Sequence, residues 1–192
     1  RADGTEGFPD LMFHLPLMTF GVHAETHGYV LPENTVSITP NVPRPRSRGR
    51  VWLESADPSV PPKIDYRYFT DPDGYDEAML LKGLEYARMI ADTEPMKSWI
   101  VREVFPGPDV QGGELAELVR RTNHTVYHVS GTCRMGAEDD PLAVVDPQLR
   151  VRGTQGLRVV DASIFPVLTT VNPMVTLYMI GERASDLIRD GA

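Results

Sequence analysis

Residues 128–136 read His-Val-Ser-Gly-Thr-Cys-Arg-Met-Gly, and the interpretation of the whole chain depends on this stretch. It follows the β-rich run 125–128, which predicts a strand that ends at His128 and a turn at Ser130–Thr132. Histidine is the side chain best suited to act as a general base near neutral pH. A packed structural histidine fits the same pattern, so the residues alone leave both interpretations open.

A second polar residue of interest, Asn172, precedes a long apolar segment. Apolar side chains recur there at helical spacing, which predicts a helix over 173–188 with Pro173 in its first turn and Asn172 as its N-cap. A helix start presents backbone N–H groups and a partial positive charge, which stabilise an anion such as a phosphate, an alkoxide or the electron density on a reduced cofactor. From the residues alone, a purely structural role is the more common one for an asparagine at this position.

The remainder of the chain predicts short strands and helices. Candidate strands lie at 11–15, 36–42, 51–53 and 64–69. A helix follows Asp71, which with Thr70 is a candidate N-cap. His14 lies inside an apolar run, so it is either a satisfied core residue or a group that lines a cavity. Strands joined by short connections usually pair antiparallel. We therefore predict one α+β domain over 1–192, an antiparallel β-sheet flanked by helices.

Bulk composition narrows the function classes. The formal net charge of -8 over 192 residues disfavours nucleic-acid binding, which needs a basic surface. The single cysteine, Cys133, excludes an internal disulfide and fits a reducing compartment, so we predict a cytoplasmic location. No stretch approaches the roughly 20 apolar residues of a membrane helix. His124 and His128 would lie about 13 Å apart along a strand, so we predict no metal site.

Four ordered blocks in the last third resemble the glucose-methanol-choline (GMC) family of FAD-dependent oxidoreductases. The first is the stretch 128–136, which matches the family signature His-x-x-Gly-Thr-x-Arg-Met-Gly. The others are Val-Asp-Pro-Gln-Leu-Arg-Val-Arg-Gly at 145–153, Gly-Leu-Arg-Val-Val-Asp-Ala-Ser-Ile-Phe-Pro at 156–166, and Asn-Pro-Met-Val-Thr at 172–176, leading to Ile-Gly-Glu-Arg-Ala at 180–184. One block would be a weak signal, but four in the family's order are specific.

Segments further upstream are similar to the choline-oxidising branch of this family. They are Thr-Pro-Asn-Val at 39–42, Ser-Arg-Gly-Arg-Val at 47–51, Tyr-Phe-Thr-Asp-Pro at 68–72 and Thr-Val-Tyr-His at 125–128. The resemblance therefore covers nearly the whole chain. It implies oxidation of a primary alcohol, with choline as the first candidate, to an aldehyde by hydride transfer to FAD.

The resemblance also implies roles for individual residues. His128 and Asn172 match the catalytic pair at the reacting oxygen. Four residues match flavin-side positions: Asp161, Ala162, Pro173 and Met174. His14 and Tyr127 match positions that line the substrate cavity, where an aromatic ring suits a quaternary ammonium. Residues 125–192 would therefore supply flavin-facing segments as well as the catalytic pair.

The chain lacks one feature that the family's nucleotide-binding half carries. No Gly-x-Gly-x-x-Gly follows a predicted strand. We therefore expect the chain to be the substrate-side part of a longer enzyme, inactive without an N-terminal FAD-binding half as its partner, and compatible with an oligomer. The alternative is a non-catalytic binding module with the same fold. Retention of both His128 and Asn172 argues against that alternative.

Overall fold

The structure is a computed structural model that describes residues 7–17 and 24–191. The chain divides into two compact units. Unit 1 comprises residues 1–48 and 67–124, and unit 2 comprises residues 49–66 and 125–192. None of the helices in the described ranges has the length and apolarity needed to cross a membrane.

Unit 1 contains a two-stranded antiparallel ribbon. Strand β1 (Met12–His14) pairs with β2 (Thr39–Asn41), so the predicted strands at 11–15 and 36–42 are present. The register places Phe13 opposite Pro40. Because side chains alternate along a strand, Phe13 and Pro40 share one face of the ribbon, and the residues at both ends of each strand share the other.

Helix α1 (Tyr75–Ala91) packs against the Phe13/Pro40 face of this ribbon. The contact is closest at Gly83, where an added Cβ would lie 2.7 Å from Pro40 Cβ and 3.3 Å from Leu11 Cδ2. Glycine lets the helix and the ribbon approach closely, and Pro40 is buried as a result. The opposite face of the ribbon is left for other contacts.

The start of α1 is fixed by two buried carboxylates. Asp76 accepts hydrogen bonds from the backbone N–H groups of Arg46 (2.7 Å) and Ser47 (2.9 Å). Asp71 accepts from the N–H of Tyr75 at 2.5 Å. Buried carboxylates need such partners, because an unpaired buried charge is strongly destabilising. These bonds attach the segment after β2 to the start of α1.

The predicted cap of α1 is wrong in its position. The helix begins at Tyr75 after Gly74, which has a left-handed backbone (φ 64°). Asp71 lies one turn earlier: its carbonyl accepts from the Gly74 N–H, while its carboxylate reaches forward to the helix. The capping chemistry is therefore present, but an extra turn separates the carboxylate from the first helical residue.

Helix α2 (Gly112–Thr122) completes unit 1 and packs on α1. Its buried residues lie at helical spacing: Leu115, Leu118 and Val119. Glu77 of α1 accepts hydrogen bonds from Arg120 at 2.5 and 2.7 Å, which ties the exposed edges of the two helices together.

Unit 2 combines a hairpin with a body built largely from loops. Strand β3 (Arg50–Trp52) pairs antiparallel with β4 (Lys63–Asp65), in the register Val51 opposite Ile64. Helix α3 (Met174–Arg189) packs on a buried cluster drawn from the loops and from the helix itself. That cluster comprises Val145, Leu149, Ile164, Phe165, Ala184 and Leu187. The small antiparallel sheets and three helices confirm the predicted α+β class.

We expect Gly83→Ala to destabilise unit 1. Alanine in a helix gains about 1 kcal/mol over glycine, but overpacking a tight contact costs about 1–3 kcal/mol. The new methyl group would press on the Pro40 ring, so the free energy of unfolding should fall, as measured by urea denaturation. Gly113→Ala is the control, since no atom of the described residues lies within 4 Å of the added Cβ. Equal stability of both variants would contradict this account.

Candidate active site

A ladder of backbone hydrogen bonds joins the 128–136 signature to a turn near residue 162. The N–H groups of Gly131, Cys133 and Met135 donate to the carbonyls of Ala162, Ser163 and Ile164, at 3.2, 2.9 and 2.8 Å respectively. Every second residue of the segment 131–135 therefore donates to this turn. The signature and the predicted flavin-side turn are therefore one structural piece.

Gly131 allows this ladder to begin. Its backbone is left-handed (φ 86°), and an added Cβ would lie 3.3 Å from the carbonyl oxygen of Phe165. A residue with a side chain would be strained in this conformation and crowded by that oxygen. The glycine of the signature is thus a backbone requirement.

His128 lies three residues before the ladder and is half-buried. It is not at the end of a strand, so the predicted strand at 125–128 is wrong. Tyr127 has a left-handed backbone (φ 65°), and its N–H donates to the Thr125 hydroxyl at 3.0 Å. On the other side, the Ser130 hydroxyl donates to the His128 carbonyl at 3.0 Å. These local bonds compete with a strand and set the direction of the histidine segment. The prediction of no metal site relied on that strand for its spacing, and it stays a prediction.

Asp161 and Ala162 begin the turn that accepts the ladder. The Asp161 carboxylate caps the short 3₁₀ turn Ala162–Ile164 by accepting from the Ser163 N–H at 2.8 Å. The carboxylate is exposed, whereas Ile164 is buried in the cluster beneath. The cap holds the turn in the form that directs its carbonyls toward the signature.

Asn172 lies just before α3 but is not its N-cap, which corrects the prediction. Pro173 occupies the N-cap position (φ -81°, ψ 0°), and its carbonyl accepts the first helical bond from Leu177 at 2.9 Å. The helix therefore begins at Met174, one residue later than expected. Among the described residues no side chain caps α3, and Asn172 is exposed.

Exposed apolar side chains flank both predicted catalytic residues along the sequence. Tyr127 (67% exposed) and Val129 (58%) flank His128. Around Asn172 and along the first turns of α3 lie five more, from 57% to 75% exposed: Val171, Met174, Val175, Tyr178 and Met179. We call these seven residues the apolar face of unit 2. So much exposed apolar surface next to polar site residues is typical of a surface that a ligand or another polypeptide covers.

Two arginines of unit 2 hold the loop that follows the signature. Arg152 donates to backbone carbonyls of Gly136 (3.0 Å), Asp140 (3.2 Å) and the two residues beyond Gly136. Arg134 pairs with the Asp140 carboxylate at 2.6 Å. Gly136 is tightly enclosed, since an added Cβ would lie 2.7 Å from Ala143 Cβ. These arginines therefore hold the loop that follows the signature. The sequence alone did not indicate this structural role.

A turn at Asp146 stabilises the same body. Its carboxylate accepts from the backbone N–H groups of Gln148 and Arg150 and from Arg150 Nε, at 2.9, 2.9 and 2.8 Å. Burial alone would raise the pKa of Asp146. The hydrogen bonds from Arg150 and Gln148 outweigh burial, so the pKa lies below its usual value.

His14 belongs to unit 1, on the face of the β1–β2 ribbon opposite to α1. It is half-buried, and its Nδ1 lies 3.1 Å from Nδ2 of Asn41 on the neighbouring strand. Nothing in the sequence alone gives Asn41 a role of its own. Only the pairing of β1 with β2 brings the Asn41 amide beside His14.

Comparison with known proteins identifies the family. Residues 45–181 match the GMC oxidoreductase family. This chain is a GMC oxidoreductase family member. Choline oxidase of Arthrobacter globiformis is 49% identical over 182 residues, which are 94% of this chain and 33% of that protein. Oxygen-dependent choline dehydrogenase 1 of Chromohalobacter salexigens is 35% identical over 98% of this chain and 33% of that protein.

The fold agrees with that family. The crystal structure of pyridoxine 4-oxidase from Mesorbium loti superposes with a TM-score of 0.84 at 29% identity, over 97% of this chain and 36% of that one. The predicted resemblance and fold class are thus confirmed. The chain spans about a third of the length of the curated relatives named above.

Acid should weaken unit 2 through Asp146. A carboxyl group whose pKa is lowered by folding stabilises the folded state above its ordinary pKa, and this contribution is lost as the pH falls through the lowered value. Asp146→Asn should therefore have a lower thermal midpoint than wild type at pH 7, with a smaller difference at pH 3. Asp139→Asn, at an exposed loop position, is the control. A difference that stays constant with pH would contradict the assignment.

Strain at Tyr127 can be measured with two truncations. Both Tyr127→Ala and Tyr127→Gly remove the ring, but only glycine adopts φ 65° without cost. We expect the glycine variant to be more stable by about 1 kcal/mol in urea denaturation, because a left-handed residue with a Cβ costs about that much. The reverse order would show that the segment does not hold this conformation in solution.

Proposed function

We propose that this chain is the substrate-side part of an FAD-dependent alcohol oxidoreductase that converts a primary alcohol to an aldehyde, with His128 and Asn172 at the reacting oxygen. The observation that carries the proposal is the common support of the two residues. The ladder at 131–135 and helix α3 both pack on the buried cluster of unit 2, so both residues project from one body.

The residues present fit a flavin at this surface of unit 2. Met174 is 63% exposed at the start of α3, where N–H groups of the first helical turn have no partner within the helix. This combination of apolar contact and partial positive charge suits a flat ring that gains electrons. Pro173, Met174 and the capped turn at Asp161 and Ala162 are the residues that would hold FAD. When bound, FAD supplies the hydride acceptor for alcohol oxidation.

The chain's own residues provide the proton chemistry. We assign His128 as the base that removes the hydroxyl proton of the alcohol, because a neutral imidazole accepts a proton near neutral pH. Asn172 does not titrate, so its amide offers a hydrogen bond to the same oxygen throughout the reaction. Stabilising the developing alkoxide lowers the barrier for loss of hydride from the adjacent carbon.

Choline is the proposed substrate, with other primary alcohols as the next candidates. The support is the 49% identity to a protein named choline oxidase, together with the exposed ring of Tyr127 beside His128. An aromatic face attracts a quaternary ammonium group, most strongly when the site is dry. The role of His14 as a residue that lines the substrate cavity stays a prediction.

The proposed partner of the chain is an FAD-binding polypeptide segment of the kind that its longer relatives imply. The apolar face of unit 2 supports this partner, since covering the seven residues would remove a large apolar area from water. Without that cover we expect the chain to retain no FAD and to have no activity. A cytoplasmic location remains a prediction from the single, free Cys133.

The test uses the full-length gene product beside the 192-residue chain. We expect flavin absorbance in the full-length product only, and bleaching of that absorbance when choline is added without oxygen. His128→Ala should reduce flavin about 100- to 10,000-fold more slowly, the range expected for loss of a general base. Stopped-flow absorbance measures the rate.

Matched variants distinguish the pair from the rest of the protein. His27→Ala, at an exposed position in unit 1, should leave the rate unchanged. Asn172→Ala should slow the reaction, and Asn172→His should restore part of it, because a histidine ring N–H can also donate a hydrogen bond to the substrate oxygen. If the full-length product holds no flavin, or no alcohol reduces it, the oxidoreductase proposal fails and the binding-module alternative gains support.

A further inference from the structure

Two residues, Val129 and Ser130, separate His128 from the backbone ladder. The ladder fixes the chain from Gly131 onward, because the Gly131 N–H donates to the Ala162 carbonyl at 3.2 Å. Val129 is 58% exposed, so packing contributes little to its conformation. Each residue between two fixed points can rotate about two backbone torsions. The position of His128 relative to the ladder therefore depends on what restrains these two residues.

One side chain restrains this segment from within. The hydroxyl of Ser130 lies 3.0 Å from the carbonyl oxygen of His128. A carbonyl only accepts, so the hydroxyl is the donor. The bond closes a ring that spans Val129, and local bonds from a hydroxyl to the backbone hold a chain in one turn conformation. Ser130 is half-buried, which shields the bond in part from water.

Ser130 occupies a position that the family signature leaves open. In His-x-x-Gly-Thr-x-Arg-Met-Gly the serine is the second x, so the resemblance assigns it no role. The next residue, Gly131, is required by its left-handed backbone. Ser130 is under no such backbone requirement, and its contribution lies in the contact that its hydroxyl makes.

We propose that Ser130 is a positioning residue, whose hydrogen bond to the His128 carbonyl fixes the His128 backbone, and with it the imidazole, relative to the ladder. The catalytic consequence rests on the function proposed above, in which His128 removes the hydroxyl proton of the alcohol. A base must lie within hydrogen-bond reach of the proton that it removes. Without the bond the segment adopts further conformations, so a smaller fraction of molecules holds the base within reach.

Three substitutions separate this role from a general effect on unit 2. Ser130→Ala removes the hydroxyl, and Ser130→Thr keeps a hydroxyl on the same Cβ. Ser185→Ala is the matched control, because the Ser185 hydroxyl donates to the Gly181 carbonyl at the same distance of 3.0 Å, also in unit 2. That bond lies within α3. A change that occurs in Ser130→Ala but not in Ser185→Ala is therefore specific to residues 128–130.

The first experiment observes the acceptor carbonyl by NMR in the full-length gene product. Labelling with ¹³C at histidine carbonyls and ¹⁵N at valine selects each histidine that is followed by valine, and His128–Val129 is the single such pair in the 192 residues. His128→Ala identifies this signal by its loss. A hydrogen bond to the oxygen deshields the carbonyl carbon, so the His128 resonance should move upfield in Ser130→Ala. It should stay in place in Ser130→Thr and Ser185→Ala.

This experiment needs no substrate, and its outcome does not depend on what the protein catalyses. If the His128 carbonyl resonance moves no further in Ser130→Ala than in Ser185→Ala, the hydroxyl does not bond to that carbonyl. The proposal is then overturned.

The second experiment is anaerobic stopped-flow reduction of the flavin in the full-length gene product by choline. Ser130→Ala should lower the limiting rate of reduction about 3- to 10-fold, the range for loss of one neutral hydrogen bond, with the Kd for choline unchanged. Ser130→Thr should recover most of the rate, and Ser185→Ala should match wild type. Flavin content, measured by absorbance, should be equal in all variants. A shifted carbonyl resonance without a change in rate would show that the bond does not position the base.

Combining Ser130→Ala with His128→Ala decides whether the serine acts through the histidine. Once the imidazole is gone its position has no effect, so Ser130→Ala should not slow the His128→Ala protein further. An equal loss in both backgrounds would show a structural effect independent of the base, and the positioning role would be wrong. If wild type holds flavin but no alcohol reduces it, the function proposed above fails, while the carbonyl resonance still decides the link between Ser130 and His128.

Discussion

The backbone ladder between residues 131–135 and 162–164 is the interaction on which unit 2 depends. Three alternate N–H groups of residues 131–135 donate to three successive carbonyls of a tight turn, and the turn places Ile164 into the buried cluster beneath. The match requires a left-handed glycine at one end and a capped turn at the other. Local chemistry at Gly131 and Asp161 thus fixes where two distant parts of the sequence lie.

The residues with proposed chemistry lie just outside these rigid parts. His128 precedes the ladder by three residues, and Asn172 precedes the first residue of α3 by two. His14 ends a strand whose opposite face is packed on α1. Local hydrogen bonds, such as the one that the Thr125 hydroxyl accepts, can orient segments at the edge of a rigid scaffold without disturbing the core. The loop-supporting arginines add rigidity behind the site rather than charge within it.

The sequence predicted the family, the α+β class and the main strands, because those follow from motifs and from alternating apolar residues. It could not predict the left-handed backbone at Tyr127, since a β-rich run containing Thr125 and Val126 favours a strand until the local hydroxyl bond intervenes. It placed the cap of α3 one residue early, because proline fits both the first helical position and the position before it. Asn41 was missed because an asparagine in a strand carries no signal until pairing brings His14 beside it. The assignment of the site residues rests on family motifs, while their arrangement depends on contacts between segments far apart in sequence.

The apolar face of unit 2 places two requirements in conflict: solubility of the chain and function of the proposed catalytic site. Its seven residues flank the proposed catalytic pair. A polar substitution among them would reduce self-association of the uncovered chain, but it would also weaken the apolar contact with whatever covers the site. Evolution therefore has little freedom to improve solubility at this surface. While this surface is uncovered in the folded unit, it favours association with other copies of the chain.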